Sequence, residues 1–419
     1  MKSNELGRLL GDFQLLLILF IAFRVILLIG YEPFLLEGNE RGVGVGGDRQ
    51  YHYALASLAD EGQYPFRDWW SEFPPVWFLT TTGVYTLLGE NVNFNSWSMV
   101  LGAIMILSEV GVLIMIRKIG TRLHSEVTGT ALAWIYALMA APAVFMWWNF
   151  DSLVTFFFLL GIWLLLIQKD MRSATMIALG ALTKFVPFLI FGAALRFLKP
   201  QRTIRYISVA VGLFVLAYLP LFAINSDLTL VSLTAQFGKP SYQTVWAIID
   251  GNHTTGNFGE IETHFLADGV NETTGDSNPS RVPSILRFGL AAAVGLFVFL
   301  RTRRMDEIGM VAFIGITLLI FYLQSQGWSP QWLTQILPLL LLVYPTRNAV
   351  LVAVMLSILA FVEYPLILIR SADIPLEPGS LIYLPWVLVV VLRTSLLLGI
   401  CVAFYRKLRQ SPNPELAIK

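Results

Sequence analysis

The chain has 419 residues, of which 56% are hydrophobic and only 14% charged, with a formal net charge of +1. A soluble domain usually carries about 25% charged residues, so this composition excludes an ordinary soluble globule, and the near-neutral balance gives no basis for a nucleic-acid partner. Cys401 stands alone, which excludes an internal disulfide and a cysteine-built zinc site.

Apolar runs near the ~20 residues that cross a bilayer fall at roughly 13–31, 95–116, 126–147, 152–168, 173–198, 204–224, 283–300, 307–325, 332–345, 348–365 and 381–405. The first, "LLLILFIAFRVILLIGY", is long for a signal-peptide core and precedes no small-residue cleavage site, so a membrane span is expected there. Lys and Arg orient the spans, because cytoplasmic loops carry an excess of both. The clusters at Lys2/Arg8, Arg117/Lys118/Arg122, Lys169/Arg172, Arg196/Lys199/Arg202/Arg205, Arg301/Arg303/Arg304, Arg347 and Arg406/Lys407/Arg409/Lys419 are therefore placed inside. Both termini then face the cytoplasm. Two segments need special treatment for the sides to alternate. "PPVWFLTTTGVYTLLG", 74–89, is short and Thr-rich, and is read as an interfacial or re-entrant helix on the outer face. The run 173–198 has basic residues at both ends, and is read as two short helices broken near Pro187 within "TKFVP". Broken backbone is tolerated at membrane depth where protein or a watery cavity surrounds it. The expectation is one all-α polytopic membrane domain over 1–419, with about twelve membrane-embedded helices at ~20 residues per span. Two large extracytoplasmic segments, 32–94 and 225–282, place the chemistry outside.

The first of these contains "GGDRQYHYALASLADEGQYPFRDWWSEFPP". Tyr51, Ala54, Leu55 and Leu58 recur at helical spacing with Arg49, Gln50, Asp60 and Glu61 off that face, predicting a short amphipathic helix on the bilayer surface. Asp48 precedes it and Gly62 ends it. An Asp there suits a helix N-cap and equally a general base at the membrane edge. Asp68 and Glu72 beside Trp69 and Trp70 suit saccharide binding, with rings stacking on sugar C–H groups and carboxylates accepting from hydroxyls. They also suit an interfacial aromatic belt with solvated acids. Asp151, after "MWWNF", fits an N-cap of the fourth membrane helix. Lys184 lies in the broken-helix turn, where a buried cation needs a counter-charge such as a lipid phosphate. Arg24, Glu109, Glu363 and Arg393 also fall within the membrane, where helix-to-helix contacts are their expected role.

The four histidines show no metal-ligand spacing and no "HExxH" occurs, so no protein-built metal site is expected. A divalent ion carried by substrate stays compatible with the sequence. "RGVGVGG", 41–47, follows no strand and is read as a loop. "DGNHTTGNFG", with His253, is built for tight turns near a site.

In order, an Asp after helix one, an outer amphipathic helix, a "PP" re-entrant helix and an acid opening helix four resemble the GT-C class of membrane glycosyltransferases. "GDRQYHYALASLADEGQYPFRDWWSEFPPVWF" is especially similar to the polyprenol-phosphate-mannose-dependent mannosyltransferases of glycosyltransferase family 87. There an Asp precedes "xxYY-A-x-L-x-x-G-x-x-PY-x-D" and a "YPP" follows; Phe replaces Tyr here in both places. "LGALTKFVPFLIFGAALRFL" resembles the class's Lys- and Pro-containing segment without its second Pro, and "GWSPQWLTQILPLLLL" resembles its outer turn. The likeness covers residues 10 to about 200 and returns near 325–345, leaving 225–282 unmatched.

The resemblance implies a hexosyltransferase, with mannose the default sugar, taking it from a polyprenyl-phosphate donor to a glycan or glycolipid acceptor hydroxyl with inversion. It makes Asp48 the base. Lys184 and Arg49 are assigned to the leaving phosphate, Tyr51 falls in the matched motif, and Trp328 and Gln331 are placed in the donor-pocket wall. Asp68, Trp69, Glu72, Asp151 and His253 are expected around sugar or acceptor. A transporter or flippase would need midplane charges and repeat symmetry, and no repeat is visible. A polysaccharide polymerase or ligase would need arginines in a large outer loop, and 225–282 carries only Lys239 and Arg281.

Overall fold

The computed structural model describes residues 5–30, 47–139, 149–253, 259–269, 277–368 and 374–416. The Gly-rich loop expected at 41–47, except Gly47, lies outside the described residues, as do the "MWW" before Asn149 and residues 254–258 and 270–276 of the segment 225–282. Among the described residues every regular element is helical.

Helices α1 (Glu5–Gly11) and α2 (Phe13–Gly30) meet at a 67° bend. Asp12 stands between them, and its Oδ1 accepts from the backbone N–H of Gln14 and Leu15 at 2.9 and 3.1 Å, so the break is a helix cap. α3 (Gly47–Ser57) runs into a 3-10 turn, Leu58–Glu61, that Gly62 closes in the left-handed region at φ 73°. α4 (Pro75–Leu88) opens with Pro in its first turn. Its 14 residues reach about 21 Å, short of the ~30 Å hydrocarbon core, as the re-entrant reading requires.

The bundle follows: α5 (Phe94–Leu123), α6 (Glu126–Ala137), α7 (Asp151–Leu166), α8 (Asp170–Ala181), α9 (Ile190–Phe197) and α10 (Pro200–Ile224). α11 (Ser226–Gly238) and α12 (Val245–Asp250) lie in the second outer segment. α13 (Ser284–Arg301), α14 (Glu307–Gln324), α15 (Leu333–Val343), α16 (Arg347–Phe361) and α17 (Tyr383–Leu408) complete the chain. Among the described residues six helices are long and apolar enough to cross a membrane, or seven with the bent α1–α2 pair, beside three shorter apolar segments. The protein is an all-α, multi-pass membrane protein.

Burial sorts the helices. Every residue of α15 is buried, as is most of α14, so these two form the centre. α10 and α13 bury few side chains and turn apolar faces to the lipid. The predicted break between α8 and α9 is present. The chain leaves α8 at Ala181, turns through 182–185, and resumes as a 3-10 turn at Val186–Leu189. Leu182 O accepts from Val76 N at 2.9 Å, which fastens the start of α4 to this turn. Three of the four intramembrane charges find hydrogen-bonded partners, while Arg24 lies over the Phe20 ring at 3.4 Å with its Nε and Nη2 unpartnered among the described residues. Arg393 pairs with Glu363 and donates to Gln243 O. Glu109 accepts from Ser152 Oγ at 2.8 Å and from Tyr136 OH at 3.3 Å.

Candidate active site

α3 buries more than the face its amphipathic pattern predicts, while Gln50, Asp60 and Glu61 stay exposed as expected. Arg49, His52, Leu55 and Ala56 are enclosed, whereas Tyr51, Ala54 and Leu58 are half-buried. The reason is that α3 packs on α4 and α5, so its buried side is set by protein and not by lipid. His52 Nδ1 accepts from Trp77 Nε1 at 3.2 Å, and burial holds its imidazole well below the ordinary range. The Arg49 guanidinium lies 5.7 Å from the Trp77 ring and 5.9 Å from the Trp97 ring, with 0% exposure. Burial there lowers its pKa to about 9, against the charge of Asp48, which raises it.

Asp48 sits within the first turn of α3, not ahead of it. Its Oδ2 accepts from Asn149 Nδ2 at 3.1 Å, and Asn149 Oδ1 in turn accepts from the Asp151 backbone N–H at 3.2 Å. One amide thus joins the Asp48 carboxylate to the start of α7. Burial pushes the Asp48 carboxyl up; Lys239, the Asn149 hydrogen bond and Lys184 oppose that rise, and the Asp151 charge adds to it. These groups share one neighbourhood.

Asp151 is the first residue of α7, but its side chain is not a cap. The carboxylate turns inward, 3.0 Å from Lys184 Nζ, and accepts from Gln335 Nε2 at 2.9 Å. Gln335 Oε1 accepts from Tyr322 OH. The α8–α9 break makes this pair possible, because the turn frees Lys184 from helical register. Its ammonium also lies within 6 Å of three rings: Phe73 at 5.9, Phe150 at 5.5 and Trp332 at 5.4 Å.

A second ion pair faces the same space. Glu72, 1% exposed, binds Lys239 and accepts from Gln236 Nε2 at 3.0 Å. Burial lifts its carboxyl to about 7 even against the Lys239 charge. Lys239 and Gln236 come from the unmatched segment 225–282, which therefore closes directly on the candidate site. The turn expected in "DGNHTTGNFG" is real at its start. Asp250 accepts from Ser241 Oγ at 2.6 Å and Arg281 N at 2.8 Å, and Gly251 takes φ 81°.

The two lysines line a cavity of about 260 Å³ with Phe73, Tyr242, Arg287 and Trp332. Their carboxylate partners Asp151 and Glu72 are buried and are not among the residues that line it. Tyr242, its phenol lifted to about 12 by burial, is a neutral donor in that wall.

Other sequence expectations fall elsewhere. Trp69 is fully buried against Phe78, so it is core and not a sugar platform. Asp68 sits in a surface turn, 2.7 Å from Arg67 Nε and 2.7 Å from the Tyr64 N–H it accepts. Trp332, and not Trp328 or Gln331, forms the aromatic wall; Trp328 packs behind it, edge-on at 5.5 Å. His253 belongs to a separate aromatic cluster with Tyr383 and Trp386, at 5.0 and 5.6 Å. Tyr51 bonds through its hydroxyl to His264, whose ring stacks on Trp70 at 4.0 Å. Asn149, Gln335, Tyr322, Gln236 and His264 went unassigned in the sequence. A polar Gln inside "WLTQILP" and the Asn of "WWNFDS" were the available signals. Among the described residues no group of three His, Cys, Asp or Glu side chains gathers to hold a metal.

No protein-family model matches the sequence, and no curated protein does. Among solved structures, the chain is similar to the oligosaccharyltransferase of Archaeoglobus fulgidus in its apo form, with 12% identity and a TM-score of 0.45 over 95% of this chain and 56% of that one. The same enzyme tethered to an acceptor peptide containing the NVT sequon gives 11% identity and 0.41, over 95% and 55%. Its complex with Zn and sulfate gives 11% and 0.38, over 95% and 53%. The chain spans about half the length of that enzyme, and a likeness this slight carries no function across.

Proposed function

We propose that this protein is a GT-C-class membrane glycosyltransferase that moves a hexose from a polyprenyl-phosphate donor to an acceptor hydroxyl at the extracytoplasmic face of the cell membrane. The observation that carries the reading is the pairing of Lys184 with Asp151 and of Lys239 with Glu72 at one aromatic-walled cavity, with the Asp48 carboxylate near enough to feel the charge of both lysines. The order of the motifs supports the class, and its resemblance makes mannose the first sugar to test.

In this reading the acceptor oxygen attacks the anomeric carbon while the bond from that carbon to the donor phosphate breaks. The hydroxyl proton passes to the Asp48 carboxylate, and the electron pair leaves on the lipid phosphate. A carboxylate raised by burial is a stronger base than one in water, and a positioned base contributes typically 10²–10⁴-fold. The leaving phosphate needs positive charge more than a proton, and Lys184 and Lys239 supply it at the cavity wall. With one base and one displacement, a β-linked donor yields an α-glycoside. Trp332 and Phe73 offer ring faces to the sugar.

The donor class is tested by incubating the purified protein in lipid with radiolabelled polyprenyl-phosphate hexoses and membrane-extracted acceptors. Label moving from the monophosphate donor into product supports the reading. Transfer solely from a diphosphate-linked oligosaccharide, or movement of intact donor across the bilayer without transfer, overturns it.

A further inference from the structure

A second cavity lies beside the first. It is an apolar slot of about 580 Å³ between α13 and α17, floored by α14. Leu286, Leu290, Val294 and Val298 form one wall, and Leu398 and Val402 belong to the other. From Leu286 to Val298 the slot follows α13 for about 18 Å at 1.5 Å per residue. Its lining is almost wholly apolar, which suits hydrocarbon chains.

Arg287 and Gln324 line both cavities and stand at the partition between them. Arg287 is 4% exposed. Its NH2 donates to Ser284 Oγ and Gln326 Oε1, each at 3.1 Å, its NH1 to Gln324 O at 3.5 Å, and the guanidinium lies 5.5 Å from the Trp246 ring. Its Nε–H has no hydrogen-bond partner among the described residues. A buried cation that makes no ion pair among the described residues, with Asp250 reaching it through charge alone, and that holds a spare donor at the end of an apolar slot complements a lipid phosphate; basic pockets between membrane helices take such headgroups.

We infer that the slot between α13 and α17 is a second lipid site, which holds the chains of an anionic phospholipid whose phosphate seats at Arg287. The aromatic residues Phe185, Phe237, Phe288 and Phe321 give the first cavity an apolar approach of its own beside Lys184 and Lys239. The slot is therefore not needed for the donor's chain. The site stands on its own geometry and does not depend on the catalytic reading.

The test places the full chain in phosphatidylcholine nanodiscs with a trace of phosphatidic acid bearing a mid-chain diazirine, followed by irradiation and peptide mapping. Adducts are expected on α13 and α17 around Leu290, Val294, Leu398 and Val402, with lipid-facing α10 as the background. Unlabelled phosphatidic acid should displace the probe about fivefold better than phosphatidylcholine, the preference that one cation near a phosphate supports. Arg287→Gln should remove that preference, and Ala291→Trp, which fills the slot, should remove the adducts while the α10 background persists. Even labelling of all lipid-facing helices, displacement without headgroup preference, or adducts unchanged in Ala291→Trp would each overturn the site. Displacement by polyprenyl phosphate alone would assign the slot to the donor and overturn the second-lipid proposal.

Discussion

Asn149 holds Asp48 and the start of α7 with one side-chain amide. Its Nδ2 donates to Asp48 Oδ2 at 3.1 Å and its Oδ1 accepts from Asp151 N at 3.2 Å. The contact joins residues 101 apart in the chain, so it fixes α3 against a membrane helix. Asn149→Ala should lower transfer roughly 10- to 100-fold through loss of orientation while the protein remains folded. It should also move the acid limb of the rate profile to higher pH, because the hydrogen bond now holds the Asp48 carboxyl down. A rate loss with an unmoved acid limb would make Asn149 structural only.

Lys239 opposes protonation of both Asp48 and Glu72. A base works deprotonated, so the rate rises with pH through its pKa. Removing the cation in Lys239→Met lets burial push Asp48 further up, and the acid limb of kcat/KM should shift to higher pH. A shift to lower pH would contradict the electrostatics described here.

Lys184 and Asp151 form a pair with 13% and 1% of their side chains exposed. Breaking a buried pair on one side strands a charge and typically costs about 3–5 kcal/mol, whereas replacing both partners is often tolerated. Lys184→Met should therefore melt well below wild type in detergent. Lys184→Met with Asp151→Leu should recover much of the melting temperature and none of the transfer. Recovered transfer in the double variant would remove the pair from the site.

Hydropathy and the distribution of Lys and Arg are local properties, so the spans, the short α4 and the break before Pro187 were legible in the sequence. Asp48 was legible as a residue of interest for the same reason: it stands at a helix start beside an apolar wall. Pairings were not. Glu72 meets Lys239 across 167 residues, and Asp151 meets Gln335 across 184; periodicity carries no information over such distances. The face of α3 was legible only in part: Leu55 is buried and Gln50 exposed as the pattern requires, but Arg49 and His52 are buried too, because α3 packs on α4 and α5 and not on lipid alone.

The most direct measurement is hexose transfer by Asp48→Asn, reconstituted in lipid with a radiolabelled polyprenyl-phosphate sugar and matched to wild type by thermal melting. Asn keeps an amide oxygen that can accept from Asn149 Nδ2 but cannot take the hydroxyl proton, so the variant should fold normally and lose transfer by about 10²–10⁴-fold. Wild-type turnover in a normally folded Asp48→Asn protein would contradict the assignment of Asp48 as the base.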